Sequence, residues 1–334
     1  MPPDRESHRI VIAGASSLLG AELKSLLEES RFAAADFRLL DEELAAGTLT
    51  EAGGEAAVIQ AVEEGSFDRA RFVFFTGSAD STRANIAAAR QVGAKIIDLS
   101  GAIVGDPGTV AWFPSLDKLR GQALAKEATT YTIPSAAATA VATLSLGLAA
   151  LDLRHMVFIC FQPVSEAGRA GVEELEGQTS QLLSFQNIGK PVFDTQVAFT
   201  LLDRFGSASS QKLATARERL RAETRALLGG KGPLPALQLV HAPVFYGTTF
   251  TAWAEIDSEK GAHEILNACK HVGFAITEES ESPSNVTAAG ESVIQLACPE
   301  GDTAQPGTWW FWGAADNVRL PAANAVKLAE ALSA

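Results

Sequence analysis

The chain has 334 residues, of which 47% are apolar and 20% are charged, and its 27 lysines and arginines against 40 aspartates and glutamates give a net charge of −13. This composition is typical of a globular protein, and at ~150 residues per domain the length predicts two domains. An acidic surface repels phosphate backbones, so the charge argues against nucleic-acid binding. Three widely spaced cysteines (Cys160, Cys269 and Cys298) and five scattered histidines form no disulfide or metal-ligand pattern. We expect no metal site, reduced thiols and a cytoplasmic protein.

Short apolar segments alternate with helical patterns in the first part of the chain. Near-continuous apolar strands that alternate with helices are typical of a parallel sheet covered on both faces. Strands are predicted at 9–13, 37–40, 71–75, 95–99 and 129–133, and helices at 18–29 and 81–92. The Ala-rich stretch 133–151 contains Pro134 and many serines and threonines, so we predict a buried helix there and no membrane span.

The pattern changes to longer strands and helices in the second part of the chain, which predicts an α+β domain. Strands are predicted at 156–164, 235–246 and 248–256, and helices at 172–183, 211–228, 261–271 and 321–332. We expect the second and third of these strands to pair antiparallel across a turn at Gly247. The last helix is expected to return to the first domain, and the charges of 211–228 are interpreted as a solvated face.

Four aromatic residues, Trp309 to Trp312, follow one another near the end of the second domain. Alternation along a strand would place Trp310 and Trp312 on one face and the other two on the opposite face. This suits a strand buried on both sides or a strand at a dimer interface. We favour the interpretation that these residues belong to the core.

A glycine-containing turn lies between the first predicted strand and the first helix, where a Rossmann-type fold binds a pyrophosphate. Gly14 suits the tight turn and Gly20 suits close packing of helix on strand, but Ser17 stands where a full fingerprint has its middle glycine. The turn could therefore also be a corner that binds nothing. The predicted cofactor-binding residues of this segment are Gly14, Ser16, Ser17, Leu18, Leu19 and Gly20.

Asp41 ends the second predicted strand, 21 residues after Gly20. A carboxylate there accepts hydrogen bonds from ribose hydroxyls and repels a 2′-phosphate, so it favours NAD over NADP. The alternative is that Asp41, Glu42 and Glu43 form a solvated acidic turn with no cofactor.

Several segments together resemble the aspartate-semialdehyde dehydrogenase family. They are GASSLLG at 14, RLLDEELAAG at 38, IIDLSGA at 96, QPVSEAGRAGVEEL at 162, APVFYG at 242, and AADNVR at 314 followed by NAVKLAEAL. The resemblance implies an α/β fold made of a Rossmann-type NAD(P)-binding domain (1–133 with the C-terminal helix 316–334) and an α+β dimerisation domain (134–315). It also implies a homodimer and a cofactor contact at Asn317.

Family enzymes form a thioester on a cysteine and use NADPH, and the resemblance allows each of their catalytic positions to be checked in this chain. The cysteine position, after Pro134, is Ala136. A methyl group cannot form a thioester, so the covalent route is blocked at its first step. Ser135 is not expected to replace it, because Thr248, at the family position of the base, cannot act as a base near neutral pH.

Three of the four remaining family positions have also changed. The substrate-binding arginine is His241, the base is Thr248 and the phosphate-binding arginine is Val104, while Gln162 is retained. This pattern resembles the Usg-type branch, in which the fold persists without the cysteine. His241 is interpreted as a strand histidine with a satisfied hydrogen bond, although it could bind an anion or titrate near neutral pH.

Three hypotheses follow. The leading one is a non-catalytic homodimer with a residual NAD(P) site and a small-molecule ligand that the sequence does not name. The second is an active dehydrogenase or reductase in which hydride passes directly to a carbonyl oriented by Gln162 and His241. The third is a structural or partner-binding dimer without cofactor, which the serine at position 17 supports.

Overall fold

The fold was analysed in a computed structural model that describes residues 9–42, 47–52, 55–256, 260–278 and 280–334. The chain separates into two compact units. Unit 1 comprises Met1–Pro114, Ala123–Pro134 and Pro321–Ala334, and unit 2 comprises Ser115–Gln122 and Ser135–Leu320. No helix of the described residues is both long and apolar enough to cross a membrane.

The elements are numbered here in chain order. The strands are β1 (Arg9–Ala13), β2 (Asp36–Asp41), β3 (Leu49–Ala52), β4 (Glu55–Val58), β5 (Gln60–Ala61), β6 (Ala70–Phe75), β7 (Lys95–Asp98), β8 (Thr109–Ala111), β9 (Thr130–Thr132), β10 (His155–Gln162), β11 (Ala236–His241), β12 (Thr248–Glu255), β13 (Ala275–Ile276), β14 (Gln295–Leu296), β15 (Glu300–Gly301) and β16 (Thr308–Ala315). The helices are α1 (Leu18–Glu28), α2 (Ala79–Gln91), α3 (Leu116–Arg120), α4 (Ala136–Ala149), α5 (Gly168–Leu183), α6 (Leu213–Leu228), α7 (Ala262–Val272) and α8 (Arg319–Ser333).

Unit 1 contains a parallel sheet, as the continuous apolar strands predict. Its strand order is β5-β2-β1-β6-β7-β9-β8 and every neighbouring pair is parallel. Alternate residues of β1 belong to two different apolar clusters, Ile10 and Ile12 to one and Val11 and Ala13 to the other. The first cluster also contains residues of α8 such as Leu328. Both faces of the sheet are therefore covered, and the Rossmann-like α/β class expected for this half is confirmed.

Unit 2 is built around a mixed sheet of order β11-β10-β12-β16-β14-β13, with β15 added to β16. The predicted hairpin of β11 and β12 is wrong, because β10 lies between them, parallel to β11 and antiparallel to β12. The reason lies in the connection 242–247. Pro243 cannot donate to a ladder, and the carbonyls of Val244 and Phe245 accept from Val164 and Ser165, so the connection passes the end of β10.

Helix α4 is the predicted buried helix of the Ala-rich stretch, and that prediction is confirmed. Twelve of its fourteen residues are buried. Its small side chains allow close packing: a Cβ added at Gly147 would lie 3.0 Å from the Val272 side chain of α7. The helix also contacts β10, β12 and β16, so it covers one face of the unit 2 sheet.

The opposite face of that sheet, here called the outer face, is less covered. Along β12, residues alternate strictly between buried and half-buried. Phe311 is 1% exposed whereas its neighbour Trp310 is 44% exposed. The predicted alternation of the aromatic cluster is confirmed, but the core interpretation is wrong for Trp310, whose side chain is exposed on the outer face.

Candidate functional site

The glycine-containing turn of unit 1 has the close backbone crossing that the sequence predicts. Gly14 has φ +96°, and a Cβ at this position would lie 2.2 Å from the backbone nitrogen of Gly77. A Cβ at Gly20 would lie 2.3 Å from the Gly14 carbonyl oxygen. Both positions therefore require glycine for packing, independently of any ligand.

Ser17 has a defined structural role in this turn. Its hydroxyl accepts a hydrogen bond from the Gly20 N–H at 2.9 Å and donates to the Thr76 carbonyl at 3.0 Å. Ser17 is thus the N-cap of α1, with Leu18 and Leu19 in the first turn of the helix. The serine that replaces the middle glycine stabilises the helix start and fixes the turn against the end of β6.

Asp41 lies beside the same turn. One oxygen of its carboxylate accepts from the Ser16 N–H at 2.7 Å, and the other accepts from the Glu42 N–H at 2.9 Å. The Glu42 carboxylate in turn accepts from the Ser78 hydroxyl at 3.1 Å. The end of β2 therefore places two carboxylates against the turn, whereas Glu43 of the predicted acidic turn lies outside the described residues.

Of the five family positions, three lie at one end of the unit 2 sheet. Gln162 on β10 lies opposite His241 on β11. Thr248 is the first residue of β12 and lies one position beyond Thr249, which pairs with Phe161 of β10. Side chains of these three residues therefore belong to the same face, the one that α4 covers. Thr248 is 3% exposed and Gln162 is half-buried.

His241 does not line an open pocket. It is 1% exposed, and its ring packs against the rings of Phe193 and Phe205 with centroids 6.0 and 5.5 Å away. Its Nε2 lies 3.2 Å from the Val197 carbonyl oxygen. Burial lowers the pKa of His241, against a smaller opposing effect of this hydrogen bond. The ring is therefore held neutral, as expected of a strand histidine with a satisfied hydrogen bond, and the anion-binding alternative is not supported.

Ala136, the fourth family position, is the first residue of α4 and is 2% exposed. The preceding residue, Ser135, caps the helix by accepting from the Ala138 N–H at 3.2 Å. Its own hydroxyl donates to Glu223 Oε2 at 2.6 Å, and its N–H points to the same oxygen at 3.3 Å. The start of α4 therefore carries the methyl group of Ala136 and a serine hydroxyl that donates its hydrogen bond to the Glu223 carboxylate.

Glu223 corrects the interpretation of α6 as a solvated charged face. Its side chain is only 1% exposed, and its second carboxylate oxygen accepts from Arg219 Nε at 2.8 Å. The sequence contained a signal for this burial, because Leu220 and Leu227 lie three residues before and four residues after Glu223 and are both buried. The side chain is thus on the apolar side of the helix and needs its two partners there.

Asn317 is held by contacts within unit 2. Its amide oxygen accepts from the Gly247 N–H at 2.9 Å, and its amide nitrogen donates to Ser165 Oγ at 3.0 Å and to Glu166 Oε1 at 3.1 Å. Part of Glu166 reaches the surface, while its carboxyl group is desolvated by the surrounding protein. This desolvation raises the pKa of Glu166, the Arg219 charge and the Asn317 hydrogen bond lower it, and the Glu223 charge raises it. The predicted cofactor contact of Asn317 stays a prediction.

Two of the three cysteines, Cys160 and Cys269, are poorly suited to act as a nucleophile in place of Ala136. Cys160 is buried in β10, and burial together with the nearby Glu166 charge raises the pKa of its thiol. Burial raises the pKa of Cys269 to about 12. Both groups therefore stay protonated near neutral pH. Within the described ranges no cluster of three or more potential metal ligands is found.

Comparison with known proteins agrees with this geometry. The family model "Semialdehyde dehydrogenase, NAD binding domain" matches residues 9–142, and "Semialdehyde dehydrogenase, dimerisation domain" matches residues 146–320. A USG-1 protein homolog of Pseudomonas aeruginosa is 31% identical over 332 residues, which is 97% of each chain. Aspartate-semialdehyde dehydrogenase 2 of Vibrio cholerae is 23% identical over 98% of each chain.

Solved structures give the same result. A probable aspartate-semialdehyde dehydrogenase from Pseudomonas aeruginosa superimposes with a TM-score of 0.87 at 28% identity, covering 98% of this chain and 99% of the other. Aspartate semialdehyde dehydrogenase II from Vibrio cholerae has a TM-score of 0.86 at 22% identity, with 98% and 99% coverage. The resemblance inferred from the sequence segments is therefore confirmed, and the chain belongs to the semialdehyde dehydrogenase family.

Proposed function

We propose that this chain is a member of the family that does not perform thioester chemistry and that keeps a dinucleotide site. The observation that carries the proposal is Ala136, buried at the start of α4 where the resemblance expects the cysteine. Thioester formation needs a thiolate that attacks the carbonyl carbon, and a methyl group has no electron pair to donate. Cys160 and Cys269 are buried with raised pKa values and do not replace it.

The assisting groups support the same proposal. The resemblance expects a base at Thr248, and a hydroxyl does not accept a proton near neutral pH. It expects a guanidinium at His241, whose ring is buried between Phe193 and Phe205. The alternative of an active reductase with His241 as an orienting group therefore has no supporting contact.

The residues of unit 1 fit a dinucleotide that lacks a 2′-phosphate. Gly14 and Gly20 permit the tight turn, and the N-terminus of α1 favours the negative charge of a pyrophosphate. Asp41 at the end of β2 suits ribose hydroxyls, so we propose NAD rather than NADP. Ser16, Ser17, Leu18 and Leu19 complete the proposed contacts. A bound nicotinamide dinucleotide supplies hydride, and this chain supplies its orientation.

A dimer without cofactor is the second candidate, and one contact favours it. The Asp41 carboxylate already accepts from the Ser16 N–H, a group at the turn where a phosphate would be bound. The turn is thereby satisfied by the protein itself. In this case the role of the protein would rest on its partner surface alone.

We also propose that two copies associate through the outer face of unit 2. A groove of 330 Å³ on this face is lined by Val157, Ile159, Thr251, Trp253, Asp302, Gln305 and Trp310. Exposed tryptophan and aliphatic side chains are favourable in interface cores. The dimerisation-domain model that matches 146–320 supports a second copy as the occupant. The free cysteines support a cytoplasmic location.

Two measurements test the proposal. The first is phosphate-dependent oxidation of aspartate semialdehyde with NAD or NADP, with the Vibrio cholerae enzyme as positive control. We expect no turnover above background, and turnover at ordinary enzyme rates would refute the loss of chemistry. The second is titration with NADH and NADPH followed by nicotinamide fluorescence. Saturable binding that is tighter for NADH supports the site, whereas absence of binding at millimolar concentrations favours the dimer without cofactor.

A further inference from the structure

The order of strands in unit 1 places Glu42 in an unusual position. β1 lies between β2 and β6, and all three strands are parallel. Their carboxyl ends therefore meet at one edge of the sheet, with the turn after β1 in the middle. Glu42 follows β2, and Ser78 follows β6. The hydrogen bond from Ser78 Oγ to Glu42 Oε1, 3.1 Å long, joins the two flanking strands across the turn.

This contact brings a negative charge to the start of α2, at the same edge of the sheet as the start of α1. Ser17 is the N-cap of α1, and Ser78 is the N-cap of α2, whose hydroxyl also accepts from the Ser81 N–H at 3.1 Å. Helix N-termini attract anions because their first N–H groups carry partial positive charge. The Glu42 carboxylate thus provides from within the chain the negative charge that the start of α2 favours.

In the described part of the chain, no basic side chain forms an ion pair with Glu42 or Asp41. A dinucleotide pyrophosphate bound at this edge would therefore lie on the same side of the sheet as two carboxylates. Like charges repel each other, and salt reduces the repulsion.

We infer that Glu42, through its hydrogen bond to Ser78 across the β1 turn, competes with the pyrophosphate of a bound dinucleotide and sets its affinity. This inference rests on the proposed dinucleotide site. It assigns Glu42 a role distinct from that of Asp41. Asp41 discriminates between NADH and NADPH at the ribose, whereas Glu42 weakens the binding of both because both carry the same pyrophosphate.

The test is the dissociation constant of NADH and NADPH for the whole protein and for Glu42→Gln. Glutamine keeps the length of the side chain and can still accept from Ser78, but it carries no charge. We expect Glu42→Gln to tighten the binding of both dinucleotides by a similar factor, about five- to tenfold at low salt. The gain should shrink as NaCl is raised, because salt screens the repulsion.

Glu29→Gln is the matched control, because Glu29 is exposed and is the C-cap of α1, at the end of that helix opposite the turn. It removes the same charge and should leave both dissociation constants unchanged. Equal binding by the parent and Glu42→Gln would overturn the inference while leaving the dinucleotide site intact, and so would equal tightening by Glu29→Gln. If neither the parent nor Glu42→Gln binds either dinucleotide, the proposed site and the inference both fail.

Discussion

Ser135 and Glu223 are 88 positions apart in the sequence and share a hydrogen bond of 2.6 Å at the start of α4. The contact joins the N-cap of a buried helix to a carboxylate that is almost fully withdrawn from solvent. Because Arg219 binds the other oxygen of that carboxylate, the three side chains satisfy one another without any ligand. The position next to Ala136 is thus part of the folded framework of unit 2.

Removing Glu223 is expected to destabilise the protein. Glu223→Ala deletes the acceptor of Ser135 and leaves Arg219 without its buried partner, which we expect to cost about 2–4 kcal/mol of unfolding free energy. Urea denaturation measures this cost. Glu218→Ala is the control, because Glu218 lies on the same helix with its side chain 65% exposed and should change stability by less than about 0.5 kcal/mol. Equal changes in the free energy of unfolding for the two variants would show that the Glu223 contacts do not stabilise the protein.

Restoring the thiol alone is expected to leave the protein inactive. In Ala136→Cys a nucleophile returns to the start of α4, but Thr248 still offers no base and His241 remains buried between aromatic rings. Steady-state oxidation of aspartate semialdehyde in the presence of phosphate measures the outcome. Turnover of this single variant near that of an active relative would contradict the assignments at positions 241 and 248.

Trp310 should contribute to self-association. The Trp310→Asp variant places a charge on the outer face, where the second copy would bury it. We therefore expect the dissociation constant of the dimer to rise at least tenfold, which is a loss of about 1.4 kcal/mol or more of association free energy. Sedimentation equilibrium measures the dissociation constant. Leu49→Asp serves as control, since Leu49 is 76% exposed and lies in the other unit. An unchanged dissociation constant for Trp310→Asp would show that the outer face is not the dimer interface.

His241 should make the protein sensitive to mild acid. Burial lowers the pKa of the folded-state ring, so below about pH 6.5 the unfolded chain takes up a proton that the folded chain does not. Stability should therefore fall by up to about 1.4 kcal/mol per pH unit until the folded-state pKa is reached. His241→Gln should lose less stability between about pH 7.5 and about pH 5.5 in urea titrations. An equal loss of stability in His241→Gln and in the parent over this pH range would contradict the role of His241.

The sequence predicted the features that depend on local pattern. The apolar run of β1, the glycines of its turn and the burial of α4 follow from spacing and residue type, and the structure contains each of them. Features that depend on distant partners were missed. The position of β10 between β11 and β12 is set by contacts of Val164 and Ser165 with the connection after β11.

The same limit applies to individual side chains. The burial of the Glu223 carboxylate is explained by its hydrogen bond with Ser135, which is distant in the sequence. The exposure of Trp310 could not be predicted from the sequence. The alternation of side chains along β16 fits a strand that is covered on both faces, and it fits equally well a strand with one face open to a second copy. Local periodicity states which residues share a face, and it does not state what covers that face.

The most direct test of the central claim is the intact mass of the chain after incubation with aspartate semialdehyde and an oxidised dinucleotide in the absence of phosphate. An enzyme that uses a cysteine would retain the acyl group as a thioester under these conditions, and the Vibrio cholerae enzyme provides that reference. For this chain, with a methyl group at Ala136, we predict an unchanged mass and no reduced dinucleotide. An acyl adduct on any residue, formed together with an equivalent of reduced dinucleotide, would contradict the account.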